Sequence, residues 1–479
     1  MTNTNTNALL MEFSSQISSS LIQDINESNN IHITTAGIYH QENFELKDHI
    51  KKSARKWDND YCDENEYHYI LQSSSEIFEA LSRQYRLEPM KSLSIQDYNY
   101  WIKCIYIDLK KNIFSKRKID IALFGNIPHA GHSIIAALIA SYNDIPYYSM
   151  LPIPFSIRFA LIPPENKQRP LSWRFEDRIN PLPLSTTSSI HEIDKKWIKI
   201  YKDQIDNGGK YYFMHKHPIY GLPNTRKLVS LKNFNLAGLK RIAWSIWINQ
   251  KYKAYDQLLS KHENQFQISK LGKYIYFPLH LQPEMTTSGL GGRVKNDQFI
   301  LIDNLLKLCR KHQISLVVKE NPKQSFSHRS NEILTNLLSQ ENIHIAPRSF
   351  PSKDLLKGSL LVATVSGTVG IEAIRYNKPA YCDATSWWIE HPYAITTFSD
   401  LDNTISLLLK QGTINNSGNQ VPDFDKFLNS VSTSCWPGCP WDILINRHYE
   451  ESLELHTHII KGSLLEIIKR FNKTNNDLK

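Results

Sequence analysis

The chain has 479 residues, of which 41% are apolar and 22% charged, and it carries a formal net charge of +9. That length supports two or three domains with real cores, and no apolar run approaches the roughly 20 residues that would span a bilayer as a helix. No run of five or more like charges occurs, so a nucleic-acid-binding tail is not expected; the positive surplus points instead to a nucleotide, an acidic polysaccharide or an anionic membrane face.

Residues 1–30 are polar and read as loose. The first seven lack the basic region of a secretory signal. Apolar periodicity predicts helices over 75–85 and 94–112. A βαβ unit follows, with a strand over 119–124, a Gly125 to Gly131 loop, a helix over 133–142 and a strand over 145–151. Residues 152–232 are rich in Pro, Arg and Lys and read as long loops around one helix near 190–204. A long helical pattern runs from 233 to 262. A second α/β region then alternates strands at 274–279, 315–319, 343–346 and 360–365 with helices at 297–312, 331–340 and 352–357. The spacing demands parallel sheets with crossover helices. Residues 442–471 read as a helix that packs back across a domain boundary. The fold class is α/β, with two facing Rossmann-like domains. The expected divisions are a mixed extension (1–118), a first Rossmann-like domain (119–265), a second (266–412) and a C-terminal loop and helix (413–479).

Four cysteines are scattered and expected to be reduced. Cys435 and Cys439 flank a Trp-Pro-Gly turn, but a zinc site needs further ligands at suitable spacing. His456 and His458 fall on different faces of a helix, so no metal is expected.

The most informative segment is Ala363-Thr-Val-Ser-Gly-Thr-Val-Gly-Ile-Glu-Ala373, followed by Asn377-Lys-Pro-Ala380. It reads as strand, Ser366-Gly367-Thr368 turn, helix and second strand. Unpaired N–H groups at such a helix start suit a phosphate, and Glu372 rises on the same face, within reach of a ribose hydroxyl. A plain βα turn with Glu372 in solvent is the structural alternative. Other strand ends supply His280, Gln282, Glu284, Lys319 and Asn321, together with Arg348 and Asp383, and a Thr286 to Gly292 loop follows the first of them. Lys319 ends an apolar strand, where a free ammonium calls for a counter-charge. A ligand anion supplies one; a salt bridge to Glu320 or Glu284 is the alternative. In the first Rossmann-like domain Asn126 and His129 follow a strand, and His129 suits a general base or an anion contact. His132 is expected to cap or pack, and Arg158 is a further site candidate.

These residues resemble the capsule polysaccharide biosynthesis family, whose best-known members are bacterial capsule β-Kdo glycosyltransferases. The resemblance runs over roughly 119–384. It rests on Tyr274-Ile-Tyr-Phe-Pro-Leu-His-Leu-Gln-Pro-Glu284, Val317-Val-Lys-Glu-Asn-Pro322, Ser366-Gly-Thr-Val-Gly-Ile-Glu-Ala373 with Lys378-Pro379, and the Phe124-Gly-Asn-Ile-Pro-His129 loop. It implies a GT-B-type enzyme that transfers an ulosonic acid, typically Kdo, from a CMP-activated donor to a glycan or glycolipid acceptor. Retention at the anomeric carbon, and no metal or other cofactor, come with it. Lys319, Ser366, Gly367 and Thr368 would hold the CMP phosphate and Glu372 the ribose. His280, Gln282 and Glu284 would line the donor-sugar pocket. Glu284 is the candidate catalytic carboxylate, and His129 the base or acceptor-orienting group, with Asn126 and Arg158 on the acceptor side. Where the family commonly has Lys-x-His-Pro, this chain has Lys319-Glu-Asn321-Pro. Asn keeps a donor but takes up no proton near neutral pH, which leaves the donor sugar open. Two other readings stand beside this one: a non-catalytic nucleotide- or glycan-binding partner in capsule assembly or export, and a sugar-nucleotide epimerase. The expected location is cytoplasmic. Trp244, Trp247 and Tyr252 with Lys240, Arg241, Lys251 and Lys253 would allow peripheral contact with the inner membrane, although packing between domains explains them equally.

Overall fold

The structure, a computed structural model, describes residues 6–13, 31–36, 61–85, 95–181, 188–207, 236–281, 298–321, 335–337, 339–412, 423–440 and 453–477. Two compact units make up the chain: Met1–Tyr201 with Asp425–Lys479, and Lys202–Phe424. The division falls earlier than the sequence pattern placed it. The helix over 236–263 goes with the second unit because Tyr255 and Leu259 are buried in that unit's core.

The first unit opens with β1 (Thr6–Met11) and β2 (Ile31–Ala36), then α1 (Glu64–Leu71), α2 (Ser74–Tyr85) and α3 (Ile95–Leu109). The Asp63 carboxylate caps α1 by accepting from the Asn65 and Glu66 amides, which satisfies two orphan donors of the first turn. β3 (Ile121–Phe124), α4 (Gly131–Tyr142), β4 (Tyr147–Pro152) and β5 (Arg158–Ile162) form the expected βαβ unit with one further strand. A β6 (Pro164–Asn166) and β7 (Arg169–Trp173) hairpin and α5 (Ser188–Asp206) complete this stretch. Residues 6–11 are not loose, as their polar surroundings suggested. Ala8, Leu9, Leu10 and Met11 are fully buried, and β1 pairs in parallel with both β2 and β3.

The second unit contains α6 (Leu236–Glu263), β8 (Tyr274–Pro278), α7 (Gln298–His312), β9 (Ser315–Lys319) and β10 (Ile343–Ala346). Then come α8 (Ser352–Gly358), β11 (Leu361–Thr364), α9 (Val369–Arg375), β12 (Ala380–Cys382), β13 (Ala394–Ile395) and α10 (Phe398–Gln411). All six strands are parallel, in the order β10-β9-β8-β11-β12-β13. Counted from β8 this is 3-2-1-4-5-6, the Rossmann order. The strands read as nearly continuous apolar runs because helices cover both faces of the sheet. On one face Ile275, Phe277, Leu316, Val318, Leu361 and Ala363 join Leu301, Leu305 and Cys309 of α7 and Leu401 and Ile405 of α10. The alternate residues Tyr276, Lys319 and Thr364 point the other way, toward the side where Ser352 of α8 meets Lys319.

The chain then returns to the first unit as α11 (Phe424–Thr433), β14 (Trp436–Pro437) and α12 (Leu453–Asp477). β14 pairs antiparallel with β5, which gives the sheet order β14-β5-β4-β3-β1-β2. Ile460, Leu464, Ile467 and Ile468 of α12 pack on Leu10, Leu123, Phe159 and Trp436. The tail therefore finishes the first unit's own core. Cys435 and Cys439 are buried thiols beside Gly438, whose φ of 112° explains the glycine. Among the described residues no helix is long and apolar enough to cross a membrane. On α6, Ile246 and Trp247 are exposed.

Gly370 in α9 shows how tightly the second unit is filled. A Cβ there would lie 2.0 Å from Trp388 Cζ2, and Trp388 is fully buried. Alanine would gain up to about 1 kcal/mol of helix propensity, but the overlap with a wedged indole costs about 1–3 kcal/mol. Overpacking wins, so Gly370→Ala is expected to lower the denaturant midpoint of the second unit's transition with little change in its slope.

Candidate functional site

In each sheet the strand order reverses direction at one place, and ligands of open α/β sheets bind outside the carboxyl ends of the strands there. In the second unit that place lies between β8 and β11. His280 follows β8 and bridges it to β11. The Val365 amide donates to His280 Nε2 at 3.2 Å, which makes Nε2 an acceptor and puts the ring proton on Nδ1. The Thr364 hydroxyl, 2.7 Å from Nε2, donates to the same atom and accepts from the Gly367 amide at 3.0 Å. The Ser366-Gly367-Thr368 turn is thus tied through Thr364 to an imidazole on the neighbouring strand. Gly367 is required because a Cβ would come within 2.8 Å of both His280 Cε1 and Thr364 Oγ1.

Buried Gln298, the first residue of α7, clasps the His280 backbone from behind. Its carbonyl oxygen accepts from the His280 amide at 2.9 Å, and its amide nitrogen donates to the His280 carbonyl at 3.2 Å. Thr364 and Gln298 were not singled out by the sequence reading. Thr364 reads as strand interior, and nothing in a helix-start Gln announces a partner 18 positions away.

At the end of β9 the Lys319 ammonium donates to Ser352 Oγ at 2.9 Å. Burial lowers its pKa from the usual lysine value, while the charges of Glu263 and Glu372 act in the opposite direction. Lys319 and Glu372 are therefore electrostatic neighbours. Glu320 does not serve as the counter-ion. Its two carboxylate oxygens accept from the Tyr255 hydroxyl at 2.5 Å and the Asn321 amide at 2.8 Å. Among the described residues Lys319 has no carboxylate within ion-pair distance. Arg348, past β10, is held by Glu263 at 3.0 Å and Asp256 at 2.6 Å, both from α6. Asp383, past β12, accepts from the Tyr381 hydroxyl at 2.8 Å. Gln282, Glu284 and the 286–292 loop lie outside the described residues, as does half of the helix expected over 331–340.

In the first unit the reversal lies between β1 and β3. Asn126 is buried and folds back to accept from the Ile127 amide at 2.8 Å. His129 Nδ1 lies 2.7 Å from the Ile127 carbonyl. A carbonyl only accepts, so Nδ1 carries the proton and Nε2 is the basic nitrogen. Buried His132 sits 3.7 Å from Glu12 Oε1, and burial, with His129 as the second cause, lowers its pKa to about 4. Arg158 pairs with Asp194 at 2.8 Å and donates to the Cys435 carbonyl at 3.0 Å, contacts that knit β5 to α5 and β14.

Comparison with known proteins adds a family. Residues 215–391 match the family described as "Capsule polysaccharide biosynthesis protein". The matched stretch runs from ahead of α6 to the loop past β12. It includes His280, Lys319, Asn321 and the Ser366 to Glu372 segment, but not the Asn126 to His129 loop. No curated protein matches the chain. Among solved structures, the Methanocaldococcus jannaschii UDP-GlcNAc 2-epimerase in complex with UDP-GlcNAc and UDP is 15% identical, with 89% of this chain and 98% of that one covered and a TM-score of 0.28. The Thermosulfurimonas dismutans KpsC β-Kdo 2,7 transferase is 9% identical, with 82% and 83% covered and a TM-score of 0.30. Its β-Kdo 2,4 counterpart is 10% identical, with 65% and 87% covered and a TM-score of 0.27.

The loop past β12 contains a second buried histidine. His391 accepts at Nδ1 from the Tyr393 amide at 3.1 Å, and burial lowers its pKa to about 4. A folded-state value below the unfolded 6.5 means that the unfolded chain binds the extra proton first. Its stabilisation is complete above about pH 6.5 and is lost as pH falls through 4. His391→Gln is therefore expected to flatten the acid side of the stability–pH profile, by up to about 3 kcal/mol between those limits, in urea titrations at successive pH values.

Proposed function

We propose that the chain is a glycosyltransferase of capsule-type polysaccharide synthesis. It transfers an ulosonic acid, Kdo or a close relative, from a CMP-activated donor to a glycan acceptor with retention. The observation that carries this reading is Lys319. A half-buried ammonium stands at the ligand edge of a Rossmann-order sheet, inside the family segment, with a hydroxyl as its described partner. An anionic group arriving there would be stabilised by a charge already desolvated and already in place. The braced Ser366-Gly367-Thr368 turn lies across the same reversal, and Glu372 is close enough to sense the Lys319 charge. In this reading Lys319 and the turn hold the phosphate and Glu372 the ribose, while His280, with Gln282, backs the sugar pocket. Glu284 supplies the reacting or sugar-orienting carboxylate. His129 Nε2 accepts the acceptor's hydroxyl proton. Asn321, standing where the family commonly has His, favours one second reading, a non-catalytic nucleotide-binding partner.

Calorimetric titration with CMP, UMP, UDP and GDP separates these. CMP is expected to bind selectively, at least about tenfold more weakly in Lys319→Met and in Glu372→Ala, since each removes a hydrogen bond to a charged or hydroxyl group. Preference for UDP or GDP would overturn the donor, and no binding would overturn both readings. Glu284→Gln is expected to keep CMP affinity and lose transfer from CMP-Kdo to acceptor glycans, and wild-type turnover in that variant would remove Glu284 from the chemistry. Tight CMP binding without transfer of any ulosonic acid by the wild type would leave the binding-partner reading.

A further inference from the structure

Gln298 opens α7, is fully buried, and directs both atoms of its side-chain amide to one residue of another element. Its oxygen accepts from the His280 amide at 2.9 Å and its nitrogen donates to the His280 carbonyl at 3.2 Å. Among the described residues the ladder between β8 and β9 ends one residue earlier, where the Leu279 amide donates to the Lys319 carbonyl at 2.9 Å. A primary amide then does for His280 what a neighbouring strand would, pairing both backbone groups at once. The anchor is itself fixed, because Leu301, Ile302 and Leu305 of the same helix are buried in the core under the sheet. Burying an amide costs free energy that an apolar side chain at the helix start would not. What the amide adds is a defined position. His280 is thus held twice, by its ring from the end of β11 and by its backbone from α7. The ring contacts also tie the Ser366-Gly367-Thr368 turn through Thr364, whereas the backbone clasp acts on the strand end.

We propose that Gln298 is a positioning residue for the donor sugar: by holding the His280 backbone it sets where the segment carrying Gln282 and Glu284 leaves the sheet. This rests on the proposed function, in which those residues serve the sugar while Lys319 and the turn hold the phosphate. Only Leu281, Gln282 and Pro283 stand between His280 and Glu284 in the sequence, and the φ of a proline is fixed. A stretch this short takes its direction from its anchor. Loosening the anchor misplaces the sugar-side groups and spares the nucleotide side.

Steady-state transfer from CMP-Kdo, or from the CMP-ulosonic acid that wild type prefers, tests this in Gln298→Met and Gln298→Glu, with CMP as competitive inhibitor. Methionine keeps the length and loses both bonds. Glutamate keeps the accepting oxygen but turns a second oxygen toward the His280 carbonyl. Each is expected to lower kcat at least about tenfold, since misplacing a reacting group by about 1 Å costs up to roughly a hundredfold. The CMP inhibition constant is expected to stay within about twofold, which also shows that the nucleotide side is folded. A role in folding alone predicts otherwise. Either kcat per CMP-binding site keeps its wild-type value, or CMP affinity and kcat fall together, and both results overturn the proposal. Should Gln298→Met fail to fold, the shape-preserving Gln298→Glu decides by the same two constants. Absence of transfer by wild type overturns the functional reading, and this inference with it. That result is read before any variant is made, so the two failures are distinct.

Discussion

The second unit's ligand edge depends on one shared acceptor, the Nε2 atom of His280. Two donors at the end of β11, the Thr364 hydroxyl and the amide of Val365 just past it, converge on it. Through Thr364 the Gly367 amide is fixed as well. A parallel sheet leaves its carboxyl-end backbone groups without ladder partners, and each needs a partner once water is excluded. Here a side chain from the adjacent strand supplies it. The turn is therefore rigid before any ligand arrives, and its geometry is inherited from the register of β8 against β11. Gln298 extends the brace to α7, so a helix, two strands and a turn share one polar network in which every member named has a partner.

Charge in this unit is separated by face. Lys319 leaves the sheet on one side, while Glu320 and Arg348 are taken up by α6. Burying a carboxylate or a guanidinium is costly unless it is paired and hydrogen-bonded. α6 meets that requirement with Tyr255, Asp256 and Glu263, which lie within its last three turns. In the first unit the two loop histidines are set by burial and by the backbone. His132 is held neutral by burial, and the His129 tautomer is set by a backbone carbonyl, so a basic nitrogen is defined by a hydrogen bond two residues away.

Much of this was legible in the sequence. Strands β9 and β10 and helices α7 and α9 lie within a residue or two of their apolar patterns, because a buried parallel strand and an amphipathic helix each leave a clear period. The Ser366 to Glu372 segment and Lys319 stood out because small residues and a lone cation at strand ends break that period. β1 was lost because four buried residues are flanked by Thr and Asn, which reads as loop. The braces were not readable for another reason. Thr364, Gln298, Tyr255 and Ser352 act on partners 84, 18, 65 and 33 positions away, and no local period encodes such a distance. The role of Arg158 was likewise hidden: a strand-end arginine looks the same whether it faces a ligand or, as here, Asp194.

The connectivity of the units carries a consequence for biosynthesis. The second unit is one continuous segment, whereas the first needs residues from both sides of it. As the chain emerges from the ribosome, β5 has its β4 neighbour but must wait more than 270 residues for Trp436 and Pro437 to close its other edge. Leu10, Leu123 and Phe159 wait longer still for the α12 residues that cover them. An open strand edge and an uncovered apolar face are sticky surfaces. The nascent chain therefore exposes them throughout translation of the second unit, which can fold to completion while the first still lacks its last edge strand and the helix that covers its core.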